Sequence, residues 1–188
     1  MYYLHVQYAG DWYQTWETPV AFVAEGNTCT RAQYGSFEQG VNNVSVYNIG
    51  SDADGSISDI CGWAQPVDPL SPTGELEVHF FSGSGPYLVL ETDYENYVSG
   101  YSCTNHTLGF HDQTAWILTR EQNPSQDIVS QKPLSIQPHI FVKKLLFKVD
   151  KAFDVFERNN LIFNDWYSVP QSDECVYDIS PSCKDRWP

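Results

Sequence analysis

Between residues 12 and 119 the chain is a succession of short runs rich in Val, Ile, Tyr, Phe, Trp and Thr, cut at close intervals by turn residues. The runs fall at 12–16, 28–34, 43–49, 56–64, 75–81, 87–92, 97–103 and 114–119. Between them stand Asp54-Gly55, the Pro- and Gly-bearing stretch 66–74, and the breaks 82–86 and 93–96. β-Branched and aromatic side chains fit a pleated, half-buried surface, and such spacing is that of an all-β barrel or sandwich. No helix of useful length fits between the runs, so a sheet of βαβ units is excluded. A closed barrel leaves no exposed edge, and eight strands leave an interior wide enough for one small ligand.

The pattern changes after Arg120. Residues 121–138 are polar and interrupted by proline, and read as a connection. A helix is expected over about 139–158. Ile140, Phe141, Leu145, Phe147, Val149, Phe153 and Phe156 form its apolar side, with Pro138 at its start and Asn159-Asn160 at its end. An amphipathic helix must cover something apolar, and here that is the outside of the barrel. Residues 161–167 read as a last strand, and the tail to 188 is polar with two cysteines. The expectation is a single domain, all-β, with a barrel at about 8–120 and one C-terminal helix packed outside it.

Charge narrows the function classes. Ten Lys and Arg against 24 Asp and Glu give a net charge of −14. Nucleic-acid binding needs a basic face, and anionic membranes repel such a chain. No run approaches the roughly 18 apolar residues of a membrane span. The five cysteines are dispersed, without CxxC pairs or clustered His, which disfavours zinc. Dispersed cysteines in an acidic chain point to disulfides and secretion, and the sequons at Asn43 and Asn105 agree. No signal peptide is visible, so one is expected to have been removed. No GxSxG, P-loop or GxGxxG is present, and Asp52 and Asp54 sit in a hairpin turn, so the expectation is a binding protein and not an enzyme. A free, inward Cys29 or Cys61 would reopen that reading as a thiol catalyst, and a free Cys61 also as a covalent ligand anchor.

Three segments carry a family resemblance. Gly10-Asp11-Trp12 resembles the Gly-x-Trp signature that opens lipocalin barrels. Thr92-Asp93-Tyr94-Glu95-Asn96-Tyr97 resembles the second lipocalin motif, and the run from Trp116 to Arg120 resembles the third, with its closing arginine. Pro86-Tyr87, Val89-Leu90 and the run through Tyr101-Ser102-Cys103 are similar to the group of apolipoprotein D, lazarillo, insect bilin-binding proteins and crustacyanin subunits.

The resemblance implies an eight-stranded antiparallel up-and-down barrel. It gives Gly10, Trp12, Thr92, Asp93, Tyr94 and Arg120 a structural role, with the guanidinium of Arg120 over the indole of Trp12 closing one end. It pairs Cys29 with Cys175. It leaves Cys103 without its usual N-terminal partner, so Cys103 pairs with Cys183 or Cys61 or stays free. It also implies an apolar ligand in the barrel. Tyr34 and Asn48 match pocket-lining positions, and alternation adds Tyr87, Val89, Trp116 and Leu118. Val46, Trp63, His79 and Tyr101 complete the candidate set, though a one-residue slip would turn any of them outward. Flat rings with a few polar groups suit one noncovalent pigment, a biliverdin-type tetrapyrrole or a carotenoid such as astaxanthin. A colourless fatty acid, steroid or retinoid is the alternative, as is a recognition protein using loops 18–27 and 66–74 around an empty barrel. Association into homo- or hetero-oligomers is a further implication, and no metal is expected.

Overall fold

The computed structural model describes residues 7–19, 26–35, 43–68, 70, 73–107, 109–124, 151–178 and 183. The strands are β1 (Gly10–Glu17), β2 (Thr28–Tyr34), β3 (Val44–Ser51), β4 (Ile57–Pro66), β5 (Glu75–Phe80), β6 (Gly83–Thr92), β7 (Tyr97–Asn105), β8 (His111–Thr119) and β9 (Tyr167–Ser168), with helix α1 at Lys151–Arg158. Each strand from β1 to β8 pairs antiparallel with the next, and β1 also pairs with β8, which closes the barrel. The short β9 adds to the outside of that ring through Trp16↔Ser168.

Alternation along the strands sorts the side chains into two cores. Trp12, Ala32, Tyr34, Val44, Val46, Ala64, Val98 and Leu118 meet inside the barrel. Tyr97, Ala115 and Ile117 face outward and are covered by Ala152, Val155 and Phe156 of α1. Those three helix positions follow the i, i+3, i+4 spacing of one helical face. Ser99 Oγ donates to the Ala152 carbonyl at 2.8 Å, and Arg158 pairs with Glu91 of β6. Asn160, at φ +59°, ends the helix. The expected helical residues 139–150, and most of the connection, lie outside the described residues.

Several boundaries differ from the expectation; β8, for one, begins at His111, three residues early. The break at 82–86 shrinks to Phe81-Ser82, because β5 pairs on through Glu77↔Pro86 to Phe80↔Gly83. Pairing with a neighbour, not intrinsic propensity, sets where β6 begins. The strand expected over 161–167 is reduced to Tyr167–Ser168. Leu161, Phe163 and Trp166 instead pack on the α1 cluster.

The tail is stapled to the outside of the wall. Cys29 is bonded to Cys175, Cys61 to Cys183, and Cys103 is free. Arg31 donates to the Tyr177 carbonyl at 2.9 Å, and the Gln171 amide spans the carbonyls of Gln14 and Thr30. Cys29 and Cys61 are therefore consumed by disulfides, so neither is a nucleophile in the barrel.

Candidate ligand site inside the barrel

One end of the barrel is corked. Trp12 is fully buried, and the Arg120 guanidinium carbon lies 3.7 Å from its ring centroid. Arg120 also donates to the carbonyls of Asp11 at 2.9 Å, Tyr94 at 3.1 Å and Gln7 at 2.6 Å. Gly10 has φ +100°, and a Cβ there would stand 3.2 Å from the same guanidinium. The neighbouring β6–β7 turn is built by Thr92-Asp93-Tyr94. Asp93 Oδ1 accepts the backbone N–H groups of Glu95, Asn96 and Tyr97, and Thr92 Oγ1 accepts that of Tyr94, which sits at φ +66°. Burial pushes the Asp93 carboxyl up, but these hydrogen bonds outweigh it and hold the group below its ordinary range.

Three tyrosines lie above the cork. Tyr8 and Tyr87 share a hydrogen bond at 3.0 Å between hydroxyls, and the Tyr8 and Tyr34 rings are 4.9 Å apart. Burial raises the pKa of all three, so they remain neutral donors and acceptors. The Tyr87 ring stacks near Trp116, with centroids 6.0 Å apart. Gly100 makes this possible, because a Cβ there would come within 2.9 Å of the Tyr87 hydroxyl. Sequence reasoning did not place Tyr8 among the lining residues; its position four before Trp12 was the available signal.

Register decides which candidates share this interior. Val89 pairs with Gly100, Trp116 with Gly100, and Leu118 with Val98, so Val89, Trp116 and Leu118 face inward beside Tyr87. Val46 and Asn48 lie on the inner face of β3 with Tyr34 across on β2. Trp116 and Val89, with Val78 and Phe80, pack on the inner core yet keep partial exposure. Asn48 Oδ1 is buried without a hydrogen-bond partner among the described residues.

Three candidates are corrected. Trp63 pairs with Ser45 and His79, one step out of phase with the inward Gly62 and Ala64, so Trp63 and His79 stack on the outer face at 3.8 Å. Tyr101 pairs with Ala115 and also faces outward, 6.4 Å from Phe163 beside the helix. Each is one residue from an inward position, the error that a period of two permits. The loop 66–74 is likewise not at the mouth. It joins β4 to β5 at the corked end, with the β6–β7 turn.

A polar group on the inner wall went unread in the sequence. Glu17 pairs with Trp116 across β1 and β8, while Gln14 pairs with inward Leu118. Gln14 donates to Glu17 at 2.7 Å, and the Asn27 amide lies close enough to favour the charged carboxylate. Asn27 donates on to Thr30 at 3.4 Å. Glu17 is only 7% exposed, and burial raises its pKa against the lowering effect of the two amides. A β-bulge between Gln14 and Trp16 brings Glu17 inward. Sequence alternation alone does not reveal such a shift.

A closed β cup, corked at one end by an indole under a guanidinium and carrying partly exposed aromatic rings on its inner wall, is the architecture of proteins that bind a small apolar molecule. Residues 5–138 match the family model of the lipocalin-like domain. Apolipoprotein D of Bos taurus is 39% identical over 142 residues, which cover 74% of this chain and 72% of that one. The crustacyanin-A1 subunit of Homarus gammarus is 30% identical over 146 residues, covering 72% and 75%. Lobster apocrustacyanin A1 superposes with a TM-score of 0.69 at 25% identity, over 96% of this chain and 84% of that structure. The chain belongs to the lipocalin family, whose members bind small hydrophobic ligands.

Proposed function

We propose that this chain is a secreted, noncovalent carrier or sequestering protein for one pigment, a biliverdin-type tetrapyrrole or a carotenoid. The observation that carries the reading is the inner wall itself. Tyr87 and Trp116 offer flat faces to a conjugated ligand, and on the β3 wall of the same interior Asn48 Oδ1, unpartnered among the described residues, offers an acceptor. Apolar burial at roughly 25 cal/mol per Å² supplies affinity, and the few polar groups supply orientation. The likeness to the crustacyanin-A1 subunit supports the pigment. The two disulfides support an oxidising compartment, and Asn105, exposed at the end of β7, is the sequon better placed to carry a glycan.

No bond is made or broken. Binding exchanges water in the lumen for the ligand, and the tyrosine hydroxyls and Asn48 orient its polar groups. The test is a visible absorption spectrum of protein purified from its native source, followed by titration of the apoprotein with biliverdin and with canthaxanthin. A red-absorbing band or a shifted carotenoid band supports the proposal. A colourless native protein that binds neither pigment in titration refutes it.

A further inference from the structure

Resting on the pigment reading, we propose that Glu17 is a specificity-determining residue of the lumen: its carboxylate accepts N–H bonds from the ligand and so selects the tetrapyrrole over the carotenoid, and over fatty acids.

Glu17 stands on the inner face directly across from Trp116, the ring already placed to stack a conjugated ligand. Its carboxylate accepts from Gln14 and has the Asn27 amide nearby, and no cationic side chain among the described residues pairs with it. The cationic side chain nearest in sequence on β2, Arg31, points outward to Asp11 and Tyr177. A buried carboxylate without a counter-ion is costly to keep. It is also the kind of perturbed group that gathers at binding sites. On the same wall, Thr30 accepts from the Asn27 amide and approaches Gly50, where a Cβ would stand 3.0 Å from its hydroxyl. Asn48, two residues before Gly50, holds its own unpartnered acceptor oxygen. The wall formed by β1 to β3 is therefore rich in acceptors with free capacity.

The chemistry discriminates among ligands. A tetrapyrrole presents a row of pyrrole and lactam N–H groups, which need acceptors when they leave water. A carotenoid carries only carbonyl and hydroxyl oxygens at ends far apart, and its polyene gains nothing from a carboxylate. A fatty acid would bring a second negative charge into the same low-dielectric space, and like charges there disfavour both ionised forms.

The experiment compares the full-length wild-type chain with Glu17→Leu and Glu17→Gln, using biliverdin, canthaxanthin and palmitate as probes. Tryptophan quenching gives affinities, the visible band of bound biliverdin gives a second readout, and circular dichroism checks folding. Wild type is expected to bind biliverdin at least tenfold tighter than canthaxanthin or palmitate. Glu17→Leu should weaken biliverdin at least tenfold, shift its red band and leave canthaxanthin within threefold. Glu17→Gln keeps an oxygen acceptor without the charge, packs like the parent and should fall between. Unchanged biliverdin affinity and band position in Glu17→Gln, and in Glu17→Leu if it folds, would overturn the role of Glu17 while leaving the pigment reading intact. Wild type that prefers canthaxanthin or palmitate overturns it as well. Binding of neither pigment by wild type removes the pigment reading, and this inference with it.

Discussion

Replacing Arg120 with Ala removes four contacts at the corked end at once. Three are charge-assisted hydrogen bonds to the carbonyls of Gln7, Asp11 and Tyr94, and the fourth is the contact with the Trp12 ring at 3.7 Å. Hydrogen bonds to charged groups contribute roughly 1.5–3 kcal/mol each and a cation–π contact about 0.5–2 kcal/mol. Simple addition overshoots, because Arg120 is only half-buried and water can reach some of the vacated carbonyls. A net loss of about 3 kcal/mol is the reasoned value. For a chain of this size that is a fall of about 6–12 °C in Tm. Arg120→Lys keeps the charge but loses the planar fork, so it should recover no more than about half of the loss. Urea unfolding followed by far-UV circular dichroism, with disulfides intact, measures both variants. A loss below about 0.5 kcal/mol for Arg120→Ala would show that the cork does not hold the barrel closed.

Trp116→Ala should weaken pigment binding while the barrel stays folded. Losing about 60–80 Å² of ligand contact at ~25 cal/mol per Å² is about 1.5–2 kcal/mol, a 10–30-fold rise in Kd, and an unchanged Kd contradicts the pocket assignment. Cys29→Ser opens a bridge spanning 146 residues, for which chain entropy gives about 5 kcal/mol; chemical denaturation of parent and variant tests this. The parent should titrate with a single thiol, Cys103, when unfolded without reductant. Glu17 imposes a pH dependence of definite sign. Its folded pKa is raised by burial, so the native state holds the proton longer and stability falls as pH rises past the ordinary glutamate range. Glu91, held low first by the Tyr97 hydroxyl and then by Arg158, works in the opposite sense and loses its contribution as pH falls. Glu17→Gln should abolish the Glu17 part of the profile, so wild-type and variant stabilities converge at low pH and the variant is more stable at neutral pH; parallel profiles would show that the carboxylate is not buried.

Strand positions were legible in the chain because β-type residues and turn residues alternate at a spacing that admits only hairpins. The motif residues Trp12, Asp93 and Arg120 were legible for a related reason: local chemistry, a tight turn and a cork, limits what can stand there. The faces were less so. Trp63, His79 and Tyr101 lie one residue from inward positions, and side-chain size misleads there, since the small Gly62, Ala64 and Gly100 take the inward places. Tertiary structure alone decided that Glu17 turns into the lumen, since a bulge resets the alternation and only pairing with Trp116 reveals it. It also decided that Cys61 meets Cys183, because a covalent pairing depends on where a distant tail crosses the wall. Sequence encodes the period of a strand; which side of the wall a given residue occupies is set by its partners across the sheet, and those are chosen only when the ring closes.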